Sequence, residues 1–360
     1  MKNPFKFGSI VEPPYFTDRE EDLAKVLEVV NSANHLVIIS PRRYGKTSLI
    51  NKAMKQIERP VISLNLQLVT DISDLSSELV KRVFKVYPME KVKQQIKQFR
   101  IVPTLTLNPI INTIDISFMP GASPKILLED VFDMIERLGS KEKRPVVVLD
   151  EFQEIRNIDK NLDKILRSII QLHKNVNYVF MGSLESLMKE IFERKKSPFY
   201  HFGVIQTLDK IPATYFKEYL NAGFETLDCN NKDFVPDEIL NFTQCHPYYT
   251  QQLAFHYWNA LKDNCNATIE DVIDKLIQQH DIDYERLWMT LNLMDRKLLI
   301  ELSQREFTGN KEIKNRQIPE STRYSAYKRL LNNGFLIQEN KSYLIEDPFF
   351  LRWLIKRREV

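Results

Sequence analysis

Glycine is scarce in this chain, nine in 360 residues, where an average composition would give roughly 25. Long flexible linkers and glycine-rich repeats are thereby excluded, and the few glycines are expected where the backbone needs φ > 0 or close approach. Cysteine is scarcer still. Cys229, Cys245 and Cys265 are odd in number and spaced unlike a zinc site, which reads as three reduced thiols in a cytoplasmic protein. None of the six histidines pairs with another at metal-ligand spacing. No apolar run approaches the ~18 residues of a membrane span, and Met1-Lys2-Asn3-Pro4 lacks the apolar core of a signal peptide. Neither sign of charge dominates: 51 Lys+Arg face 48 Asp+Glu, a net +3. That is too nearly neutral to mark nucleic acid or a membrane as a bulk partner.

What remains is an ordinary globular composition, 43% hydrophobic and 28% charged, of a length that suits two to three domains. The first 210 residues alternate strand and helix. Thr17-Asp18-Arg19-Glu20 reads as a capping box, followed by Leu23, Val26, Leu27 and Val30 on one helical face. The apolar run His35–Ile39 has the pattern of a strand buried on both faces, and Val61–Leu66, Val146–Leu149, Tyr178–Met181 and roughly Val204–Leu208 read as further strands. Helices separate them, which implies a parallel α/β sheet. Thr, Ile and Leu around Asn108-Pro109 suggest a hairpin inserted at about 100–120. After Ile211-Pro212 the strand signal disappears, and residues 213 to 280 read as four helices. Leu287–Leu302 and Ser321–Asn333 are two further helices. Phe335-Leu336-Ile337 and Tyr343-Leu344-Ile345 then flank the turn Glu339-Asn340-Lys341, the outline of a winged helix-turn-helix. The expected domains are 1–210, 211–282 and 283–360.

The chemistry gathers in two motifs. Ser40-Pro41-Arg42-Arg43-Tyr44-Gly45-Lys46-Thr47 lies between a buried strand and a helix. It meets the phosphate-binding pattern G-x-x-x-x-G-K-[ST], except that Ser40 replaces the first glycine. Backbone N–H groups wrapped around a phosphate at a helix N-terminus need this arrangement. Gly45 allows close approach, Lys46 reaches the outer phosphates, and Thr47 can ligate Mg²⁺. Val146-Val147-Val148-Leu149-Asp150-Glu151 is an apolar strand ending in two acids, the Walker B arrangement. There Asp150 holds Mg²⁺ through water and Glu151 polarises the attacking water. Ser183, after the strand Tyr178–Gly182, either places a hydroxyl near the γ-phosphate or caps the helix that begins at Leu184.

These motifs, with Phe16-Thr17-Asp18-Arg19-Glu20, Pro41 through Ser48-Leu49, Asp150-Glu151-Phe152-Gln153, Cys245-His246-Pro247-Tyr248-Tyr249 and Asp347-Pro348-Phe349-Phe350, resemble the archaeal-type P-loop ATPases of the AAA+/STAND superfamily. The resemblance implies a sheet of order 5-1-4-3-2, a helical lid over the nucleotide and a C-terminal winged helix. It also implies that Phe16 and Arg19 lie near the adenine and that the His246-Pro247 turn closes on the nucleotide. The residues alone equally allow Phe16 as a hydrophobic staple and Pro247 as a plain helix start. Relatives often carry an arginine where this chain has Phe199-Tyr200-His201-Phe202-Gly203-Val204. An arginine finger is therefore not assigned. Arg167 and Arg194 are placed for that role only by position, with a solvated helix face as the alternative, so turnover is expected to be slow.

A winged helix invites a DNA-binding reading. Arg323, Lys328 and Arg329 lie on the helix Ser321–Asn333, Lys341 lies in the wing, and residues 311–358 hold eleven Lys/Arg against five Asp/Glu. The expectation from sequence is an ATP-binding and ATP-hydrolysing switch with Mg²⁺ as its metal, no membrane, and a protein partner or self-association. The alternatives are a DNA-binding ATPase resembling replication initiators and a nucleotide-binding scaffold without turnover.

Overall fold

A computed structural model of the chain describes residues 2–12, 14–108, 113–227, 235–308, 319–339 and 342–357. Met1, Pro109, Cys229, Asn340 and Lys341, named above, lie outside them. The chain divides into two compact units. One, the sheet unit, comprises Glu20–Ser40 and Leu49–Leu208, and the other, the helical unit, comprises Met1–Arg19, Pro41–Ser48 and Asp209–Val360.

The elements up to Leu208 run α1 (Glu20–Asn31), β1 (Leu36–Ile39), α2 (Lys46–Met54), β2 (Val61–Asn65), α3 (Ile72–Val86), α4 (Met89–Ile96), β3 (Thr104–Asn108), β4 (Thr113–Ser117), α5 (Pro124–Leu138), β5 (Val146–Asp150), α6 (Ile155–Ile158), α7 (Leu162–Ile170), β6 (Asn177–Gly182), α8 (Glu185–Phe192) and β7 (Val204–Thr207). Five parallel strands form a sheet of order β2-β5-β6-β1-β7. The numbering departs in detail from the expected 5-1-4-3-2, because β3 and β4 take two numbers and pair only with each other as an antiparallel hairpin. Without them the five strands read 5-1-4-3-2. All of β1 and β6 and the first four residues of β5 are buried. Branched and aromatic side chains on both faces are what such burial requires. Val37, Ile39, Val147, Leu149, Tyr178 and Phe180 join residues of α3, α5 and α7 in one core.

The capping box at Thr17 does not form. α1 starts at Glu20, because Asp18 and Arg19 turn into the left-handed region, at φ 50 and 80°. In place of a cap, the turn delivers the Arg19 side chain, described below.

The helical unit continues with α9 (Ala213–Phe224), α10 (Val235–Thr243), α11 (Pro247–Asp263), α12 (Ile269–Thr290), α13 (Leu293–Thr308), α14 (Glu320–Asn332), β8 (Leu336–Glu339), β9 (Ser342–Ile345) and α15 (Pro348–Lys356). β8 and β9 form an antiparallel pair. Phe216, Trp258, Leu276, Leu298, Leu330 and Phe349 lie in one core, so helices from before and after residue 282 bury their faces together. The apolar helix expected from Leu287 starts later. α12 runs on to Thr290, and Asn292 restarts the chain by accepting from the N–H groups of Met294 and Asp295 while donating to the Asp295 carboxylate at 2.7 Å.

Among the described residues, most of the basic side chains at the C-terminal end face acids. Arg323, 4% exposed, donates to both oxygens of Glu301 at 2.8 Å. Arg329 binds Asp295 at 2.6 Å. Arg352, Lys356 and Arg357 on α15 pair with Glu270, Asp274 and Asp281 on α12. Cys265 is disulfide-bonded, which corrects the expectation of three reduced thiols. Among the described residues Cys245 is a free thiol. Among the described residues no helix is long and apolar enough to cross a membrane.

Glu306 gives a test of this packing. It accepts from the Ile345 N–H at 2.9 Å, while its Oε2 is buried without a partner. Burial pushes its carboxyl up to about 7. A group raised in the folded state contributes stability at low pH that is lost as pH rises through the folded value. Wild type and Glu306→Gln should therefore be equally stable below pH 4.5, and wild type should fall behind as pH rises to 7. Urea denaturation across that range checks the sign.

Candidate functional site

In the sheet unit, parallel strands bring several polar residues to one edge. Ile39 is paired with Gly182, and Leu149 with Phe180, so Ser40, Asp150 and Ser183 all follow the carboxyl ends of neighbouring strands. This is the edge at which open α/β sheets bind ligands. Ser40 is fully buried. Asp150 closes β5 and accepts from the Glu151 N–H at 2.9 Å. Glu151 sits in the left-handed region at φ 53°. Its Oε2 accepts from the Ser183 hydroxyl at 2.6 Å and from the Gln153 amide at 2.5 Å. Two short charge-assisted bonds on one oxygen fix the carboxylate. Ser183 therefore does not cap α8. Leu184 occupies the cap position and makes no side-chain cap bond.

Gly182 is required there by space. A Cβ on it would stand 2.3 Å from Met188 Sδ and 2.5 Å from Gln153 Oε1. Gln153 itself, 2% exposed, was not singled out for a role of its own by sequence reasoning. Its signal, an amide two residues past the acidic pair, has meaning only once the left-handed turn at Glu151 folds it back.

In the helical unit, Pro41–Ser48 form the loop and the first turn of α2, which begins at Lys46. Arg43 at φ 63° and Gly45 at φ 90° are both left-handed. The backbone thus curls into the concave form in which successive N–H groups can face an anion. Lys46, 6% exposed, donates to the Pro41 carbonyl at 2.7 Å across the loop. Thr47 is half-buried and Ser48 buried, and the Ser48 hydroxyl accepts from the Val11 N–H at 3.0 Å. Arg42 is exposed and Phe16 half-buried. Arg19 is buried and donates to the carbonyls of Tyr44 (3.2 Å) and Asp209 (2.7 Å). It holds the loop from the side.

The start of α11 meets this loop within the same unit. His246 precedes Pro247, the first helical residue, and its Nδ1 accepts from the Tyr248 N–H at 3.2 Å. The Tyr44 ring stands edge-on to His246 at 4.8 Å. Burial pushes the His246 imidazole below its ordinary range, with Glu346 pulling the other way. Arg43 donates to the Tyr249 hydroxyl at 3.0 Å, and its guanidinium lies 4.5 Å from the Tyr248 ring centre. Burial works against the Arg43 charge, but Tyr249, Tyr248, Glu346 and Asp347 together raise its proton affinity. Non-glycine residues with positive φ lie in or beside these motifs at Asp18, Arg19, Arg43, Glu151, Gln244 and Cys245. Such strain concentrates where function demands a fixed backbone.

The two arginines considered for a finger are engaged elsewhere. Arg167 donates to the Pro198 carbonyl at 3.0 Å and lies 4.2 Å over the Phe202 ring, at the amino-terminal side of β7. Arg194 pairs with Glu190 at 2.9 Å.

Residues 16–253 match the model of a family described as an ATPase domain predominantly from Archaea. An uncharacterized ATP-binding protein of Pyrococcus abyssi is 25% identical over 187 residues, 49% of this chain and 56% of that protein. The chain thus spans little more than half of that relative. Another, from Methanocaldococcus jannaschii, is 22% identical, with 94% of this chain and 96% of the relative covered. Among solved structures, a Walker-type ATPase of Pyrococcus abyssi superposes with a TM-score of 0.69 at 18% identity, covering 98% and 99% of the two chains. The Aeropyrum pernix ORC1 protein, solved in complex with DNA, gives 0.53 at 13% identity over 96% and 95%. At these identities the likeness is one of fold.

The crowding around Gly182 can be tested directly. Gly182→Ala forces Met188 and Gln153 to move, and overpacking of this kind costs about 1–3 kcal/mol. Urea denaturation should show that loss. A variant as stable as wild type would mean that both side chains give way freely.

Proposed function

We propose that this chain, which belongs to the family of ATPase domains found predominantly in Archaea, binds ATP with Mg²⁺ and hydrolyses it slowly as a molecular switch of the STAND type. The observation that carries the reading is the loop Pro41–Gly45, with left-handed residues at Arg43 and Gly45 and the buried Lys46 at the start of α2. Backbone donors, a helix N-terminus and a cation in one short segment suit a polyphosphate. Lys46 binds and neutralises the outer phosphates, and residues 40–48 supply the cradle. Phe16, Arg19 and Pro247 complete the nucleotide contacts, with Arg19 also bracing the loop.

The donors available suit Mg²⁺, which prefers oxygen ligands and keeps several waters. Thr47 would ligate it by its hydroxyl and Asp150 through water. Bound there, the ion would neutralise charge on the phosphates. Among the described residues no group of three or more His, Cys, Asp or Glu could hold a metal by itself. Glu151 orients and polarises the attacking water. Ser183 and Gln153 hold one oxygen of that carboxylate, which leaves the other to accept from water. Since Arg167 and Arg194 are engaged away from that carboxylate, turnover without a partner is slow. Residues 211–282 act as the lid and 283–360 as a winged helix that changes arrangement when contacts to the γ-phosphate are lost.

Lys46→Ala should abolish ATP binding, measured by calorimetry. Glu151→Gln should bind ATP and release no phosphate, and normal turnover by that variant would remove Glu151 from the chemistry. Phosphate release also separates this reading from a scaffold that binds nucleotide without turnover.

A second reading, a DNA-binding ATPase, is supported by the fold shared with the ORC1 protein solved on DNA. The side chains of α14 weaken it. Arg323 is buried against Glu301, and Arg329, though exposed, is paired with Asp295; Lys328 and Tyr324 are exposed as well. Gel shifts with random duplex at two salt concentrations decide it: binding that falls steeply with salt supports DNA as a partner, and no binding at low salt sinks it.

A further inference from the structure

The phosphate-loop pattern leaves position 43 open to any residue, yet the backbone there adopts φ 63°. For a side chain other than glycine that region is strained. The arginine at this position must therefore be offset by its own contacts. Those contacts lead away from the loop: Tyr249 accepts from Arg43, Tyr248 lies under the guanidinium, and the Tyr249 ring is 6.1 Å from that of Phe349 on α15. A parallel route starts at the next residue. Tyr44 packs on His246, whose Nε2 faces Glu346 Oε1 at 3.8 Å, both atoms buried without a hydrogen bond. Both routes end at residues 346–349. There Asp347 caps α15 through the Phe349 and Phe350 N–H groups and accepts from the Tyr284 hydroxyl of α12 at 3.3 Å.

We propose that Arg43 is a positioning residue: the Tyr248–Tyr249 clamp on its guanidinium holds the loop in its left-handed form and ties the state of the loop to the start of α15. The proposal rests on the reading that this loop takes nucleotide phosphates. A phosphate drawn into the loop shifts residues 43 and 44 together, and the tyrosines carry that shift to the α15 cap. The unmatched spacing of His246 and Glu346 marks the joint that can close or open further.

The test uses the full chain with Mg²⁺ and the non-hydrolysable analogue AMP-PNP. Calorimetry reads binding, and hydrogen exchange reads Pro348–Lys356. In wild type, AMP-PNP should slow exchange across that helix at least ~5-fold, the lower end of typical coupling between sites. The double variant Tyr248→Leu/Tyr249→Phe should bind AMP-PNP but lose the slowing. Arg43→Gly should lose it as well, with weaker binding. Arg43→Lys, which returns a cation to the Tyr248 ring, should regain part of it. A full response in the double variant or in Arg43→Gly overturns the proposal. So does a double variant that no longer binds, because the tyrosines would then act on binding itself. Wild type that binds the analogue with no change in α15 overturns it too, whereas wild type that binds no nucleotide overturns the functional reading beneath it.

Discussion

Strands buried on both faces admit no polar side chain except at their ends, and the candidate site depends on that constraint. β1 and the interiors of β5 and β6 are buried and carry apolar or aromatic side chains, with Asn177 and Asp150 only at strand ends. Ser40, Asp150, Glu151 and Ser183 can exist only where the strands stop. Because the strands are parallel, they all stop at one edge. The sheet thus sorts the chemistry before any specific contact forms. The Glu151 carboxylate is then fixed by neighbours that the same geometry supplies, Gln153 from its own turn and Ser183 from the next strand.

This sorting explains why much of the fold was legible in sequence. The five sheet strands and the inserted hairpin come from runs of apolar or β-branched residues, signals that a linear reading can register. The misses depend on contacts distant in sequence. Thr17 to Glu20 has the letters of a capping box, but Arg19 is pulled out of that geometry by carbonyls at Tyr44 and Asp209. The pattern of α12 gave no hint that it would continue to Thr290, since the residues that receive its last turns come much later in the chain. Arg43 reads only as one residue of the phosphate-binding loop. Its aromatic partners stand about two hundred positions away.

The basic C-terminal segment shows the same limit in another form. Eleven Lys/Arg against five Asp/Glu over residues 311–358 counts as a positive surface only if the acids within that window are the relevant ones. They are not. Glu270, Asp274, Asp281, Asp295 and Glu301 all precede it and receive Arg352, Lys356, Arg357, Arg329 and Arg323. The half-exposed pairs among them add little stability, of the order of 0–1 kcal/mol each, whereas Arg323–Glu301 is buried. Their effect is on what the surface offers to a partner.

The 22 residues of α12 form one continuous rod, roughly 33 Å long at 1.5 Å per residue. A lid and a winged helix joined at 282–283 would meet inside that rod, where the backbone has no freedom to bend. Any swing between them must be taken up at Leu291-Asn292 or beyond. A turn of 10° at the Ile269 end carries the Thr290 end through about 6 Å, by the lever length of the helix.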